Sequence, residues 1–488
     1  MKDMNVKNIA LACGGSVYNC CNGEIKETAA SDISDKETTC AVIDSRLIQP
    51  SGLFIATKGE RVDGHDYIES VFEKGALAVI CEKLPDKTSA SQDQYFILVK
   101  NSLQALKDIA TFYRTRLNCR IIGITGSVGK TSTKEMIASV LRQGKSVCAT
   151  EGNFNNEIGV PLTILRIRED NDCAVVEMGI NHFGEMTRLT NIVKPDHVVM
   201  TNIGECHLEN LGDREGVLRA KSEIFECLSV EGRAILNASD DKLAGLSNVN
   251  GKIPIRYAFE GTFDPRDLQV DYVAKDIEDK GLSGSVVTIT GPDGFNIRVH
   301  VPLPGRHMIL NAMAAAAAGT LFGLTPDLIK KGIEEVNATG GRSNVIKAGD
   351  HTIIDDCYNA NPTSVRAALD LLATASGHRT AILGDMFELG VDEKKLHEEI
   401  GAYAVKGKTD TLICVGELSE NMVRGAEDAL KKAPNASAPG ADPITVHYFK
   451  TVDDLLETPV NDLITPVDTI LIKASHSMKF ERIVKALT

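Results

Sequence analysis

Short apolar runs alternate with segments of helical periodicity through the middle of the chain, from about residue 116 to residue 338. Four of these runs have the length and composition of strands, at 120–124, 174–177, 197–203 and 234–237. Strands that alternate with helices build a mostly parallel sheet with helices on both faces. The pattern therefore predicts a doubly wound α/β sheet over this region.

Residues 253–302 interrupt that alternation with several short segments that alternate apolar and polar positions. The segments lie at 255–259, 285–289 and 297–301. Alternation with a period of two is typical of antiparallel strands with one face buried, so we expect an antiparallel insertion here. A helix is predicted directly after it, over 308–319.

The two ends of the chain show the same mixture of short strands and helices. The first region has strand-like runs at 53–56, 76–80 and 95–99 and a helix over 103–117. After Gly340 and Gly341 the alternation restarts, with strands expected at 352–355, 380–383, 412–415 and 469–472 and a solvent loop over 431–442. At 488 residues the chain exceeds what one core usually serves.

We therefore predict an α/β protein of three domains. Residues 1–115 form a smaller α/β domain, 116–338 a central domain with a doubly wound, P-loop ATPase-type sheet, and 339–488 a Rossmann-like domain. The prediction rests on the patterns of strands and helices, and the boundaries are placed where those patterns change.

Composition narrows the class of ligand and the compartment. The net charge is −14, from 53 basic and 67 acidic residues, without a long Lys/Arg cluster, so nucleic acid is not expected as a partner. Twelve scattered cysteines without a C-x-x-C pair indicate reduced thiols. The start of the chain does not resemble a signal peptide, and the longest low-polarity stretch, 312–324, is too short to cross a bilayer. We expect a cytoplasmic monomer without a membrane span.

A glycine-rich loop follows the strand at 120–124 and precedes a segment with helical periodicity. It reads Gly126-Ser127-Val-Gly129-Lys130-Thr131-Ser132, with Ile124 where a strict Walker A motif has its first glycine. Such a loop surrounds a phosphate chain with backbone N–H groups, a lysine and a hydroxyl at a helix N-terminus. The loop predicts a nucleoside triphosphate site, and the alternative is a strand-to-helix turn with an incidental lysine.

Three polar side chains fall at or just beyond later strand ends of the same sheet. Glu177 closes the run 174–177, His207 follows the run 197–203, and Lys221 lies on a predicted helix over 214–228. Taken singly, each has a plain structural reading, as a turn cap, a loop histidine and a solvated lysine. Thr131 and Glu177 supply the oxygen ligands that Mg²⁺ prefers. A lysine can join a metal site only as a carbamate.

Two polar turns follow neighbouring strands of the last region, at 353–362 (IIDDCYNANP) and 384–390 (GDMFELG). Asp and Asn commonly form such turns and cap helices, and Asn361 before Pro362 reads as a helix N-cap. Two polar turns at neighbouring strand ends also make a suitable rim for a cleft between domains.

Several motifs in order along the chain resemble those of the Mur ligases, the ATP-dependent amide-forming enzymes of peptidoglycan precursor synthesis. They cover essentially the whole chain, as 44–46 (DSR), 57–65 (TKGERVDGH), 125–131 (TGSVGKT), 152–161 (GNFNNEIGVP), 305–311 (GRHMILN), 355–362 (DDCYNANP) and 384–390. The last two are similar to those of family members that add D-alanyl-D-alanine to UDP-N-acetylmuramoyl-tripeptide. The family's own loop has the shortened form seen here, which accounts for Ile124.

The resemblance implies a role for each matching residue. ATP would be bound by Gly126, Ser127, Gly129, Lys130, Thr131 and Ser132, with Asn311 near the adenine and Arg342 and Asp356 at the phosphates and ribose. Two Mg²⁺ ions would be held by Thr131, Glu177, His207 and Lys221, the last as a carbamate. Asp44, Ser45 and Arg46 would bind the UDP end of the substrate, with Tyr358 and Asn359 also in contact with substrate. Lys130, Lys221, His207 and Asn156 would be catalytic, with Asn156 near the reacting carboxyl group and the neighbouring Asn153 and Asn155 as alternatives for that position.

The implied activity is an ATP-dependent ligase reaction through an acyl phosphate, with UDP-N-acetylmuramoyl-tripeptide and D-alanyl-D-alanine as partners. Alternatives are another ligase of the superfamily, such as the diaminopimelate- or lysine-adding enzyme or folylpolyglutamate synthase, and a P-loop switch or motor. The chain lacks the Asn-Lys-x-Asp motif of guanine-specific switches and the Asp-Asn-Pro-Arg motif of diaminopimelate selection. One departure is that Ala474 and His476 stand where relatives read Lys-Gly-Ser-Arg.

Overall fold

The computed structural model describes residues 1–21, 24–338, 340–407, 409–432, 444–459, 463–465 and 467–488. Three mixed sheets follow one another along the chain, with six, nine and six strands in the described segments. The predicted α/β fold class with three successive units is confirmed. The boundaries at 115/116 and 338/339 stay predictions.

The first sheet has parallel strands on one side and an antiparallel hairpin on the other. Its spatial order is β2-β1-β6-β5-β4-β3, and β1 runs antiparallel to both of its neighbours. The elements are β1 Ser16–Cys21, β2 Glu24–Glu27, β3 Ala41–Val42, β4 Leu53–Ile55, β5 Ala78–Cys81 and β6 Tyr95–Leu98, with helices α1 Val6–Cys13, α2 Ile68–Glu73 and α3 Ser102–Arg114.

The second sheet is parallel through seven strands and ends in an antiparallel meander. Its strands are β7 Arg120–Thr125, β8 Val147–Ala149, β9 Cys173–Glu177, β10 His197–Met200, β11 Arg233–Asn237, β12 Ile255–Phe259, β13 Tyr272–Asp279, β14 Ser285–Thr290 and β15 Asn296–Val301. Its helices are α4 Lys130–Arg142, α5 Gly159–Arg166, α6 Glu185–Val193, α7 Leu208–Leu211, α8 Arg214–Ser222, α9 Asp241–Ala244, α10 Arg306–Leu321 and α11 Pro326–Glu334.

Three sequence predictions for this sheet were wrong in part. The run 255–259 is parallel to both neighbours, so only β13 to β15 form the antiparallel insertion. The strand expected to reach residue 203 ends at Met200, because Thr201 and Asn202 turn to bind the glycine-rich loop. The helix expected over 214–228 ends at Ser222 and continues as one short 3₁₀ turn, Glu223–Phe225.

The third sheet has the order β16-β17-β21-β18-β19-β20, antiparallel only between the first two strands. Its strands are β16 Asn344–Ala348, β17 His351–Asp355, β18 Arg379–Gly384, β19 Thr411–Val415, β20 Thr445–Phe449 and β21 Thr469–Lys473. Its helices are α12 Pro362–Leu372, α13 Glu393–Lys406, α14 Glu420–Lys432, α15 Val452–Glu457 and α16 Glu481–Leu487. The predicted loop at 431–442 begins inside α14, and its residues 433–442 lie outside the described segments.

The first two sheets share one hydrophobic core. A single cluster of buried side chains runs from Met4 and Ile97 in the first unit to Ile121 and Leu236 in the second. The buried Tyr113 hydroxyl on α3 donates a hydrogen bond to the Ile167 carbonyl, 2.7 Å away. Because burial of apolar surface is the main stabilising term of a fold, we expect these two units to be rigidly joined.

The strand order of the second sheet reverses at β7. The chain passes from β7 outward to β8, returns to β9 beside β7, and then continues with β10 on the other side of β7. In open α/β sheets, ligands bind in the crevice at the carboxyl ends of strands where the order reverses. The glycine-rich loop follows β7, Glu177 ends β9 and Thr201 follows β10. The fold therefore places all three around one crevice.

None of the helices in the described part of the chain combines the length and the apolar character needed to span a bilayer.

Acid should weaken this fold through His197, which is buried at the start of β10. Burial, helped by the nearby Arg120 cation, lowers the pKa of His197 to about 4 from 6.5. The pKa of His197 is lower in the folded protein than in the unfolded chain. The stability that the neutral ring contributes is therefore fully present above pH 6.5, and it is lost as the pH falls towards about 4. Between pH 6.5 and about pH 5 the loss amounts to about 2 kcal/mol.

His197→Asn should flatten that pH dependence, because its amide oxygen can accept the hydrogen bond that Arg233 N–H now donates to Nδ1. Chemical denaturation of both proteins at a series of pH values measures the difference. Equal slopes of unfolding free energy against pH would contradict the assignment to His197.

Candidate active site

The glycine-rich loop is shaped by the two residues that follow β10. The Val128 N–H donates to the Asn202 side-chain oxygen at 2.9 Å, and the Val128 carbonyl accepts from the Thr201 hydroxyl at 2.6 Å. Gly126 has a φ of +149°, and a Cβ there would lie 1.9 Å from the Thr201 oxygen. A glycine is therefore required at this position, and the loop is preformed around the start of α4.

Lys130 and Thr131 form the first turn of α4, directly after Gly129 in the left-handed conformation. The Lys130 ammonium donates to the Gly126 carbonyl at 2.9 Å, so the side chain folds back along the loop. The helix N-terminus adds unpaired N–H groups and the positive end of its dipole. Together these groups make a site for an anion such as a phosphate.

Glu177, at the end of β9, reaches the same helix. Its two carboxylate oxygens accept hydrogen bonds of 2.7 Å from the Thr131 hydroxyl and from the Asn155 side-chain amide. The carboxylate is 1% exposed, and no lysine, arginine or histidine of the described segments lies within ion-pair distance of it. A buried carboxylate without a cationic partner is costly, so this oxygen-rich pocket fits a divalent cation.

Lys221 lies on α8 and is also only 1% exposed, so the reading as a solvated lysine is wrong. Burial, together with the neighbouring Lys130 cation, lowers the pKa of Lys221 to about 8. A substantial fraction of its amine is then neutral near physiological pH. A neutral buried amine is the form that reacts with carbon dioxide.

His207 follows the loop after β10 and starts the short helix α7. Its Nδ1 lies 2.5 Å from a carboxylate oxygen of Glu388, which belongs to the C-terminal unit. The His207 hydrogen bond holds the pKa of Glu388 below its usual value. His207 therefore stands at the contact between the central and C-terminal units.

The C-terminal unit brings a second polar cluster to the cleft. The buried Lys473 ammonium donates to the Asp356 carboxylate at 2.6 Å and to the Asn359 carbonyl at 2.9 Å. The Arg342 guanidinium lies 3.8 Å from the centre of the Tyr358 ring, which also packs against His476 with ring centres 5.4 Å apart. These contacts order the turn after β17 into a rigid, mainly polar wall.

All three units line one cleft of about 840 Å³. Most predicted site residues contribute to its wall: Ser127, Gly129, Lys130, Ser132, Asn156, Glu177, His207, Arg342, Asp356, Tyr358 and Asn359. Leu103 and Lys107 of α3 line the side formed by the first unit. A volume of this size accommodates a ligand larger than a single phosphate group.

Seven predicted residues lie outside that wall, and one of them is Gly126 of the glycine-rich loop. Thr131 and Asn311 are buried behind the loop, where the Asn311 side chain accepts from the Thr133 hydroxyl at 2.9 Å, and Lys221 is buried too. Asp44, Ser45 and Arg46 form a separate, partly exposed turn. Arg46 hydrogen bonds to both carboxylate oxygens of Asp44 and lowers its pKa to about 2.

Asn156 has a defined local task. Its side-chain oxygen accepts from the N–H groups of Ile158 and Gly159 and caps α5. Asn361 caps α12 with a full capping box, as predicted. Asn155, next to Asn156 and one of the alternatives to it in the sequence analysis, is the asparagine that contacts Glu177. Nothing in the run of asparagines from 153 to 156 distinguishes it without tertiary contacts.

Sequence reasoning also missed Asn202, Lys473 and Glu388. Each is hydrogen-bonded to a site residue more than 70 positions away: Asn202 to Val128, Lys473 to Asp356 and Glu388 to His207. Within the described residues, no three His, Cys, Asp or Glu side chains gather in a way that could hold a metal ion. The predicted metal set contains only two residues of these types, Glu177 and His207, so it depends on Thr131 and a modified Lys221.

Comparison with known proteins places the chain in a family. Three family models match successive segments: the Mur ligase family catalytic domain at 37–114, the Mur ligase middle domain at 124–319 and the Mur ligase glutamate ligase domain at 341–476. The chain is 36% identical to the UDP-N-acetylmuramoyl-tripeptide--D-alanyl-D-alanine ligase of Bacillus subtilis (strain 168), over 99% of this chain and 98% of that protein.

Solved structures agree over the same span. A crystal structure of MurF from Acinetobacter baumannii is 29% identical with a TM-score of 0.82, and the match covers 99% of this chain and 98% of that one. MurF ligase from Thermotoga maritima in complex with ADP is 26% identical with a TM-score of 0.75, covering 92% and 97%. The chain therefore belongs to the Mur ligase family.

Proposed function

We propose that this chain is an ATP-dependent ligase that joins D-alanyl-D-alanine to the terminal carboxylate of UDP-N-acetylmuramoyl-tripeptide. The names of its relatives and the ADP-bound neighbour support the substrates and the nucleotide. The observation that carries the proposal is the buried Glu177 carboxylate, which accepts from Thr131 and lines the same cleft as Lys130 and Asp356. That arrangement suits a nucleotide held between two units.

ATP is proposed to lie with its phosphates on the glycine-rich loop. Backbone N–H groups at the start of α4 and the Lys130 ammonium bind the β- and γ-phosphates, after Lys130 leaves the Gly126 carbonyl. Arg342 and Asp356 bind the nucleotide from the C-terminal unit, with Asn311 at the adenine side. Bound Mg²⁺, held by Thr131, Glu177, His207 and a carbamate on Lys221, would neutralise charge on the phosphate oxygens.

The chemistry proceeds in two steps. A carboxylate oxygen of the tripeptide attacks the γ-phosphorus, the bond to the β,γ-bridging oxygen breaks, and ADP leaves with an acyl phosphate formed. The D-alanyl-D-alanine amine then attacks the acyl carbon and loses a proton, and inorganic phosphate departs from the tetrahedral intermediate. The chain contributes by orienting the reactants and by placing cations near developing negative charge.

The modification of Lys221 is part of the proposal. Its neutral amine attacks carbon dioxide, forms a C–N bond and releases one proton, so that a carbamate anion replaces an ammonium cation. A buried ammonium beside Lys130 is unfavourable, whereas a carbamate would balance that charge. The depressed pKa of Lys221 supports this reaction because it supplies the neutral amine.

The three-unit cleft also accounts for the protection of the intermediate. An acyl phosphate is hydrolysed by water, so the site must exclude bulk solvent while the dipeptide reacts. Tyr358 and Asn359 from the C-terminal unit and α3 from the first unit close two sides of the cleft. Asp44, Ser45 and Arg46 are proposed to hold the distant UDP end of the substrate.

The test is phosphate release by the purified protein with ATP, Mg²⁺ and UDP-N-acetylmuramoyl-tripeptide, with and without D-alanyl-D-alanine. We expect turnover only when the dipeptide is present, with one dipeptide incorporated for each phosphate released. Separate reactions with lysine, diaminopimelate or glutamate as the amine test the other ligase activities of the superfamily. Rapid phosphate release that does not respond to any amine would contradict the ligase proposal and favour a nucleotide hydrolase.

A further inference from the structure

The C-terminal unit contacts His207 through the turn after β18. Glu388 in this turn places a carboxylate oxygen 2.5 Å from Nδ1 of His207, and its carbonyl accepts from the Glu209 N–H at 3.4 Å. Two hydrogen bonds thus join one residue of the C-terminal unit to the start of α7. Of these two bonds, only the one from the Glu388 side chain reaches the histidine ring.

Both partners in this contact have a backbone conformation that side chains rarely adopt. His207 has a φ of +52° and Glu388 a φ of +63°. A residue with a side chain loses conformational energy in the left-handed region, and it remains there only where surrounding contacts require it. Two such residues facing each other indicate a contact built by the fold of both units.

The turn that carries Glu388 is firmly held within its own unit. The N–H of Met386 donates to Nε2 of the buried His397, and the N–H of Phe387 donates to the Ser475 hydroxyl, each at 3.0 Å. Met386 itself is fully buried. Glu388 therefore moves with the C-terminal unit as a fixed extension.

The hydrogen bond also sets the chemistry of the imidazole. A carboxylate can only accept, so Nδ1 of His207 carries the proton and donates it to Glu388. In a neutral ring the lone pair then lies on Nε2, the nitrogen available to a ligand in the cleft. A carboxylate on the far nitrogen is the usual way in which proteins orient a ligating histidine.

We propose that Glu388 is a positioning residue that fixes the tautomer and orientation of His207 when the C-terminal unit docks. This inference rests on the proposed function, since it gives His207 a task at the reaction site. It makes completion of that site depend on the position of another unit.

A plainer reading is that Glu388 only helps the two units adhere. The same interface offers a matched control, since Arg366 on α12 lies 3.7 Å from Glu205 of the central unit and, in the described part of the chain, does not bond to His207. Removing either charged side chain deletes one contact between the units. The proposal expects only the loss of Glu388 to alter the histidine ring.

The experiment compares the full-length protein with Glu388→Ala, Glu388→Gln and Arg366→Ala. The ¹⁵N NMR shifts of the His207 ring, assigned among the 11 histidines with His207→Asn, report the tautomer without bound metal or nucleotide. We expect a single Nδ1–H tautomer in the wild type and in Arg366→Ala. Glu388→Ala should give a mixture, and Glu388→Gln, which keeps an acceptor, should largely restore the Nδ1–H form.

Steady-state kinetics supply the second measurement. Glu388→Ala should lower kcat by about 10- to 100-fold with little change in the KM for the UDP substrate, the usual range for losing such a carboxylate. Glu388→Gln should recover most of kcat, and Arg366→Ala should stay within about 3-fold, as expected of a partly exposed ion pair. Near-equal losses in the alanine variants, or an unchanged tautomer in Glu388→Ala, would overturn the proposal.

The two proposals fail in different ways. A wild-type protein without dipeptide-dependent turnover refutes the ligase function, whereas the NMR comparison still decides whether Glu388 sets the His207 tautomer. Thermal melting of each variant identifies any that misfold. If Glu388→Ala does not fold, the comparison of Glu388→Gln with the wild type decides. A fall in kcat of more than 100-fold in Glu388→Gln, with the His207 tautomer unchanged, would then contradict a positioning role.

Discussion

Replacing Lys221 with alanine is expected to reduce ligase turnover by roughly 10³-fold, which corresponds to about 4 kcal/mol of transition-state stabilisation. The side chain is 1% exposed and lies near Lys130, whose positive charge an anionic carbamate would balance. Its removal takes away the proposed carbamate and leaves a cavity at the end of α8. The cavity should admit a small carboxylate.

Formate, acetate or propionate should therefore restore part of the activity of Lys221→Ala, and the rescue should saturate with concentration. Arg219→Ala is the matched control, since Arg219 is an exposed cation two residues away on the same helix. It should keep nearly full activity and show no response to carboxylates. Full activity in Lys221→Ala would remove this lysine from the site. Depletion of carbon dioxide should also lower wild-type activity, reversibly on addition of bicarbonate.

Glu177→Gln is expected to abolish most ligase activity while it stabilises the protein without ligand. The native carboxylate is buried and has no cationic partner among the described residues. Gln removes that buried charge, and it can still accept from the Asn155 amide and donate to the Thr131 hydroxyl, so the local hydrogen bonds survive. Loss of the anion should cost roughly 10²- to 10³-fold in kcat, the range for removing one electrostatic group from a reaction site.

Thermal melting separates these two effects. The variant should melt at a higher temperature than the wild type when neither carries ligand, because an uncompensated buried charge is destabilising. Addition of MgADP should raise the melting temperature of the wild type and change that of Glu177→Gln much less. A variant that melts lower without ligand, or that gains as much stability from MgADP as the wild type, would contradict the role given to Glu177.

The sequence predicted more of the framework than of the site contacts. The parallel strands of the central unit have continuous apolar runs because both faces are buried, and such runs are readable without a structure. The half-exposed β1 and β2, the three-residue β8 and the edge strands β16 and β20 were not predicted, because partly polar or very short strands have little periodicity. The parallel pairing of β12 was missed for a related reason, since pairing direction is set by neighbours distant in sequence.

The functional site shows the same difference between residues that form a local motif and residues that meet only in the folded chain. Lys130, Thr131 and the loop glycines were found from sequence because a phosphate loop is built from consecutive residues, so its chemistry and its spacing appear together. The resemblance to the family then pointed to Glu177, His207 and Lys221. Asn202, Lys473 and Glu388 were missed because each acts on a residue far away in the chain, and Asn155 could not be told from Asn156 without its contact to Glu177.

By itself, then, the sequence determined the α/β class, the position of the phosphate loop and the order of the three units. Those features depend on local periodicity and on contiguous motifs. Only the tertiary structure decided that Glu177 is buried with no cationic partner among the described residues, that Lys221 is buried near Lys130, and that Glu388 reaches His207 from another unit. Burial and hydrogen bonding between distant segments depend on how the sheets pack, and the order of residues does not state that packing directly.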